Sequence, residues 1–507
     1  MNDEKKIIIY QVFTRLFGNN NNHCVYNGDI STNGCGKMAD FTLKALGEIK
    51  KLGATHIWYT GIIEHATQTD YRRYNIAPDH PAVVKGKAGS PYAIKDYYDV
   101  DPDLANDVPG RMKEFENLVN RTHRAGLKVI IDFVPNHVAR QYHSDAQPDG
   151  TTELGANDDS SLAFSPYNNF YYIPQAELRA QFDMKNGAAE PYHEFPAKAT
   201  GNNRFDATPN INDWYETIKL NYGVDYQNGG TCHFSPTPDT WIKMLDILLF
   251  WASKNIDGFR CDAADFVPFD FWKQALDSLR AIPDRSLLML AEGKRRDHFD
   301  AGFDMNYSWD FLDSLRDVFV KDAPAQELFA TDKAEYDTIP VGKVKLRFTT
   351  NHDESAKMSP IKEFGDMRGS MAAFVLTTYL RGGALIYGSQ EAGYPEAINF
   401  FTYVPVDWTG NCELYQEYCR LMALYNEYPA IRKGGLKTYP HPDVLLFEKQ
   451  DGKDRVLVAV NVRNREVNVT LPQEWNGHPS RDMYSGTEEK LEAELSLCPY
   501  QYRIFKY

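Results

Sequence analysis

A chain of 507 residues, 43% hydrophobic and 25% charged, has the composition of a globular protein of about three domains, which excludes collagen, coiled coil and wholesale disorder. Its net charge of −15 argues against nucleic acid or an anionic membrane as the main partner, because phosphate recognition needs clustered Lys and Arg. No apolar run approaches the ~18 residues of a membrane span; the greasiest, 244–252, is short and contains Asp246.

In chain order, residues 7–10 are too short an apolar segment for a secretory leader. The chain as it stands is therefore expected in the cytoplasm, with periplasmic or secreted placement if a signal peptide has been removed. Apolar strands are predicted at 7–13, 55–60, 128–134, 256–261, 287–291, 303–306, 344–349 and 384–387. Helical periodicity separates most of them, at 39–52, 111–124, 240–254, 269–281, 310–320, 368–380 and 411–428. Alternation of strand and helix means a parallel sheet, and eight strands suit a (β/α)8 TIM barrel of the α/β class better than a doubly wound open sheet.

Two segments break the rhythm. Residues 139–236 are rich in Asn, Asp, Pro, Gly and aromatics without a helical period, too long for a plain loop, and are expected to form an inserted domain after strand 3. Residues 433–507 carry short β runs at 444–449, 456–462, 467–471 and 501–506, the pattern of a C-terminal antiparallel β-sandwich. The barrel then comprises 1–138 and 237–432. The seven cysteines include no C-x-x-C pair, so a thiolate zinc site is not expected; buried free thiols fit better than a Cys24–Cys35 bridge.

Active sites of such barrels lie at the C-terminal ends of the strands. Strand 3 ends in Asp132, Asn136 and His137; strand 4 in Arg260 and Asp262; strand 5 in Glu292; strand 7 in Asn351, His352 and Asp353. Each residue alone has a plainer reading, an Asp as helix N-cap, a His as a structural residue. Together, three strands deliver a carboxylate to one rim, and two carboxylates flanking a bond are the apparatus of glycoside hydrolysis. Arg260 and Asp262 are two apart on a strand and share a side, so the cation should hold that Asp ionised. A Glu ending an apolar strand suits a general acid.

With these residues in view, the chain resembles the α-amylase family, glycoside hydrolase family 13, over nearly its whole length. DFVPNHV, GFRCD, AEG and FTTNHD resemble its four hallmark regions, and GATHIWYTGII, TPNINDW, GGALIYGSQEAG and SPYAIKDYYDVDP its weaker ones. The resemblance implies a retaining α-glucan hydrolase that cleaves α-1,4 links of starch, glycogen or maltooligosaccharides by double displacement, with carboxyls about 5–5.5 Å apart. It assigns Asp262 as nucleophile, Glu292 as acid and base, and Asp353 as the carboxylate that favours the distorted sugar. His137 and His352 would bond the sugar, Arg260 would support Asp262, Tyr92 would stack under the ring, and Asp132 would be structural. An exo-acting α-glucosidase or glucanotransferase on short maltooligosaccharides is the alternative, and a non-catalytic transporter subunit is disfavoured because all three carboxylates are present. The Lys-His pair that often follows the nucleophile is here Asp265 and Phe266, and the family's Gly-Tyr is Pro91-Tyr92. No cofactor is implied for the chemistry. A structural calcium ion would use Asn136, with Asn210 standing where calcium-binding members have Asp; the loop 19–29 is a second place where relatives bind the ion, though an Asn-rich turn explains it too.

Overall fold

The computed structural model describes residues 7–507; residues 1–6, on which the leader reading partly rests, lie outside the described residues. Eight parallel strands close into a barrel: β1 (Ile8–Phe13), β2 (His56–Thr60), β3 (Lys128–Phe133), β4 (Gly258–Cys261), β5 (Leu288–Ala291), β6 (Met305–Tyr307), β7 (Val344–Arg347) and β8 (Gly383–Tyr387), with β1 pairing both β2 and β8. The eight fall where the apolar runs place them. They read as continuous apolar segments because they are buried on both faces. β4 and β5 approach so closely at Gly258 that a Cβ there would lie 2.3 Å from the Leu288 carbonyl oxygen, which explains a glycine in a strand.

The outer helices include α1 (Leu43–Lys51), α2 (Arg111–Arg124), α3 (Asp239–Ser253), α4 (Phe269–Arg280), α5 (Asp297–Ala301), α6 (Trp309–Val320), α7 (Met367–Tyr379) and α8 (Cys412–Glu427). Their starts are set by side-chain caps: Thr42 accepts from the Ala45 amide, Asp366 from Arg368 and Gly369, and Asn411 from Leu414. The first predicted helix is shorter than 39–52 because a 3-10 turn, Met38–Asp40, precedes the Thr42 cap. No helix among the described residues is long and apolar enough to cross a membrane.

Between β3 and α3 the chain forms only short antiparallel ladders, such as His137–Ala139 with Thr217–Lys219, which ties the segment to the barrel rim. The C-terminal region is antiparallel throughout. Six strands, Gly435–Tyr439, Val444–Asp451, Asp454–Asn461, Tyr502–Lys506, Pro479–Asp482 and Glu488–Lys490 in that spatial order, face a ladder of Val467–Thr470 and Glu494–Leu497. Alternation divides the large sheet. Leu446, Leu457, Ala459 and Phe505 pack around Trp475 between the sheets, and Leu445, Phe447, Val456, Val458 and Ile504 pack on the barrel. All seven cysteines are free, but Cys261 is the one fully buried thiol; Cys232, Cys412 and Cys498 are exposed, contrary to the expectation of burial.

Candidate active site

The site grows from one buried guanidinium. Arg260, in β4, is fully inside the barrel mouth. Its Nη1 lies 2.8 Å from Asp262 Oδ1 and 3.1 Å from Asp132 Oδ1, and its Nη2 lies 2.9 Å from Glu292 Oε1. The rings of Trp58, Tyr92 and Tyr307 stand 5.0–5.7 Å from its Cζ and cover its faces. Asp132 also accepts from the Trp58 indole at 2.8 Å.

The expected pair of Arg260 and Asp262 is therefore a cluster of three carboxylates on one cation. Burial and the charge of Glu292 push Asp262 well above the ordinary carboxylate range, while Arg260 pulls it down. Burial lifts Asp132 to about 6. Asp353 rises to about 7, through burial first and Glu292 second. Two of the rim carboxyls, Asp132 and Asp353, are thus held near neutral pH, a perturbation that clusters at functional sites.

Glu292 is aimed by the turn after β4: the Ala263 amide donates to its Oε2 at 2.6 Å, with Ala263 at φ 43°. A non-glycine residue in that region is strained, a cost found at functional sites. Asp353 sits in the short helix His352–Ser355, whose cap is Asn351, accepting from the amides of Asp353 and Glu354 at 2.9 Å each.

The two histidines are neutral. Burial and Lys219 lower His137 to about 3, and burial with Arg260 takes His352 well below its usual value. The Asn136 amide donates to His137 Nδ1 at 3.0 Å. The Tyr92 hydroxyl lies 2.7 Å from His352 Nε2.

A cavity of about 270 Å³ brings Tyr92, His137, Asp262, Glu292, His352 and Asp353 to one wall set. Arg260 and Asn136 lie beneath it, fully buried. The cavity also takes in Lys85, Ser90, Trp214, Glu216, Phe400 and Phe401, which sequence reasoning missed. Trp214 closes the quoted segment TPNINDW and could have been found there; it lies 5.2 Å from the His137 ring. Lys85 and Glu216 carry no local signal. Phe266 is 41% exposed and meets Trp214 edge-on at 6.3 Å, whereas Asp265 faces inward, 3.3 Å from His298 Nε2.

The residues read as a calcium site do not fit the ion. The Lys219 ammonium donates to Asn136 Oδ1, the oxygen a cation would need, and Lys219 is buried. Asn210 Oδ1 accepts from the Asn212 amide at 2.8 Å, and neighbouring Asp213 is paired with Arg204 at 2.7 Å. Calcium asks for six to eight oxygens, several of them carboxylates. In the loop 19–29 the side chains are spent on the turn itself: Asn21 Oδ1 accepts from His23, and Asp29 caps Ile30–Asn33.

This geometry has relatives. The cyclomaltodextrinase of Geobacillus thermopakistaniensis is 24% identical over 453 residues, 83% of this chain and 66% of its own length. The cyclomaltodextrin glucanotransferase of Geobacillus stearothermophilus is 24% identical over 481 residues, 90% of this chain and 59% of its own. The chain thus spans less than two thirds of either relative. In fold it is similar to the noncanonic maltogenic α-amylase AmyB from Thermotoga neapolitana, with a TM-score of 0.69 and 20% identity over 99% of this chain and 98% of that one. The family model of the maltogenic amylase C-terminal domain matches residues 437–504, and that of the α-amylase catalytic domain matches residues 11–405, from within β1 to beyond β8 with the rim carboxylates inside it. By that match the chain belongs to the α-amylase family.

Proposed function

We propose that this protein is a retaining glycoside hydrolase that cleaves α-1,4-glucosidic bonds of starch, glycogen or maltooligosaccharides. The observation that carries the reading is the convergence of Asp262, Glu292 and Asp353 on one cavity, with Asp262 and Glu292 close enough to share a single guanidinium. The resemblance to the α-amylase family supports double displacement, in which one carboxylate is the nucleophile and the other acid and then base.

In the first step an Asp262 oxygen attacks the anomeric carbon. The bond to the leaving oxygen breaks and that oxygen takes the proton of Glu292. In the second step Glu292 removes a proton from water, the water oxygen attacks the same carbon, and Asp262 leaves as carboxylate. Asp353 and the neutral His137 and His352 hold the sugar hydroxyls, and Tyr92 offers its ring. Arg260 keeps the cluster short of full mutual repulsion. No metal ion enters either step.

The barrel, 1–138 and 237–432, carries the chemistry in this reading. The insertion 139–236 supplies Trp214 and Glu216 to the cavity, and 433–507 caps the barrel. The free thiols suit a reducing compartment, so we read the chain as cytoplasmic.

Proton NMR of the first sugar released from maltoheptaose tests the reading. The α-anomer is expected; a β-anomer means inversion and a different mechanism. Transfer to a sugar acceptor is the second reading, favoured by the glucanotransferase relative, and a product longer than the substrate would reveal it.

A further inference from the structure

Asp265 stands where the family often carries a lysine, and it is turned toward the segment that bears Glu292. Glu292 follows β5, and its backbone is tied to the turn after β4. Its amide donates to the Cys261 carbonyl at 2.9 Å, and its carbonyl accepts from the Ala264 amide at 3.0 Å. The same turn sends the Ala263 amide to Glu292 Oε2 at 2.6 Å. Asp265 continues this seam past Glu292. Its Oδ2 accepts from the Lys294 amide at 3.3 Å, and its carbonyl accepts from Arg295 Nη1 at 3.1 Å.

Gly293 lies between these contacts, with a φ of 153° that L side chains rarely adopt. A Cβ there would lie 2.5 Å from Asp265 Oδ1 and 2.8 Å from Cε1 of His298, in α5. The two side chains therefore close on the backbone directly after Glu292. His298 is 1% exposed, and its Nε2 stands 3.3 Å from Asp265 Oδ1. Burial pushes His298 below its usual value, so the ring packs there as a neutral imidazole. The Gly293 carbonyl accepts from the Tyr307 amide at 3.0 Å, which fixes the peptide on its other side. A lysine at 265 would offer the Lys294 amide no acceptor.

We propose that Asp265 is a positioning residue for Glu292: seated with His298 against Gly293, it holds the segment after β5 so that the Glu292 carboxyl meets the leaving oxygen. The inference rests on Glu292 as general acid in the α-glucan reading above. A general acid works only within hydrogen-bond reach of the atom it protonates, so a small displacement of its segment costs rate while the fold survives.

The test compares maltoheptaose, whose leaving oxygen must be protonated, with dinitrophenyl α-maltoside, whose leaving oxygen need not be. On both, kcat/KM reports the steps up to departure of the leaving group. Asp265→Ala should lower kcat/KM by about tenfold or more on maltoheptaose and by less than about twofold on the dinitrophenyl substrate. The Asp265 side chain is 36% exposed, so its truncation spares the core, and an unchanged melting temperature checks this. Asp265→Asn keeps an acceptor oxygen for the Lys294 amide and should retain most of the rate on maltoheptaose. Gly293→Ala drives a methyl group into Asp265 and His298 and should show the same split between substrates. Equal losses on the two substrates, or no loss on maltoheptaose, overturn the positioning role and leave the hydrolase reading standing. Failure of the wild type to release any reducing sugar from maltoheptaose overturns the hydrolase reading, and the role of Asp265 with it.

Discussion

The Gln11 amide nitrogen donates to Nδ1 of His352 at 2.8 Å, across 341 residues of sequence. The same nitrogen lies 3.0 Å from Thr60 Oγ1, and Gln11 is fully buried. Because Nδ1 accepts, the neutral imidazole carries its proton on Nε2, the atom that lies 2.7 Å from the Tyr92 hydroxyl and 3.3 Å from Asp353 Oδ2. Gln11 is thus a positioning residue for a sugar-binding histidine. Gln11→Leu keeps the volume and removes the donor. It should lower kcat/KM by roughly tenfold, the worth of about one buried hydrogen bond. Nitrogen NMR of labelled His352 should show the tautomer mixed; an unaltered tautomer with unaltered activity would refute the role.

Asp262→Asn and Glu292→Gln are isosteric and should each lower activity on starch by about 10³-fold or more with the fold intact. The two part company on a substrate with a strongly acidic phenol as leaving group. That oxygen needs no proton, so Glu292→Gln should form the glycosyl intermediate at near the normal rate while Asp262→Asn still fails. Turnover of starch by a folded Asp262→Asn enzyme would remove it as nucleophile.

The charge cluster also shapes stability. Burial holds Asp353 at about 7 and Asp132 at about 6 in the folded protein. The same groups titrate at about 3.9 when unfolded. Between about pH 4 and 7 the folded state binds more protons than the unfolded one, so stability falls as pH rises through that window. Asp353→Asn abolishes its share of the penalty. Its melting temperature should exceed the wild type's by roughly 1–3 °C at pH 8 and match it near pH 4, with activity lost at both. A variant less stable at pH 8 would contradict the raised carboxyl.

What the sequence made legible follows from locality. The eight strands and the rim carboxylates were readable because each carboxylate follows its own apolar run, and because Arg260 and Asp262 share a face at a spacing of two. The helix Glu327–Tyr336 escaped notice because its buried face carries Asp332 and Glu335, both paired with Arg347, so no apolar stripe marks it. Strand Gly435–Tyr439 escaped because it is an edge strand with mostly exposed residues. Lys85, Glu216 and Phe401 meet only when two loops and the insertion fold over the rim, and no spacing in the chain encodes that. The pairing of Arg260 with Asp262 is there as the spacing of two implied, but Asp132 and Glu292 approach the same guanidinium across neighbouring strands, which no spacing encodes.

Lys219 gives the last prediction. Its ammonium donates to Asn136 Oδ1 and faces the rings of Tyr226 and Phe266 at 5.4 and 5.5 Å. Strand Thr217–Lys219 pairs with His137–Ala139, so this contact fastens the insertion beside a sugar-binding histidine. If the ammonium is the cross-brace, millimolar calcium and a chelator should leave the melting temperature equal. A calcium-dependent rise would overturn this. Lys219→Ala strands a buried acceptor, at about 1–3 kcal/mol, and should lower the melting temperature by roughly 2–6 °C. Burial pushes the Lys219 amine down to about 7. Unfolded, it titrates near 10.4, so from about pH 7 to 10 the unfolded state binds more protons and the lysine's contribution grows with pH. The deficit of Lys219→Ala should therefore widen from pH 7 to pH 9. A deficit that stays constant over that range would mean the amine stays charged in the folded protein and would overturn the lowered value.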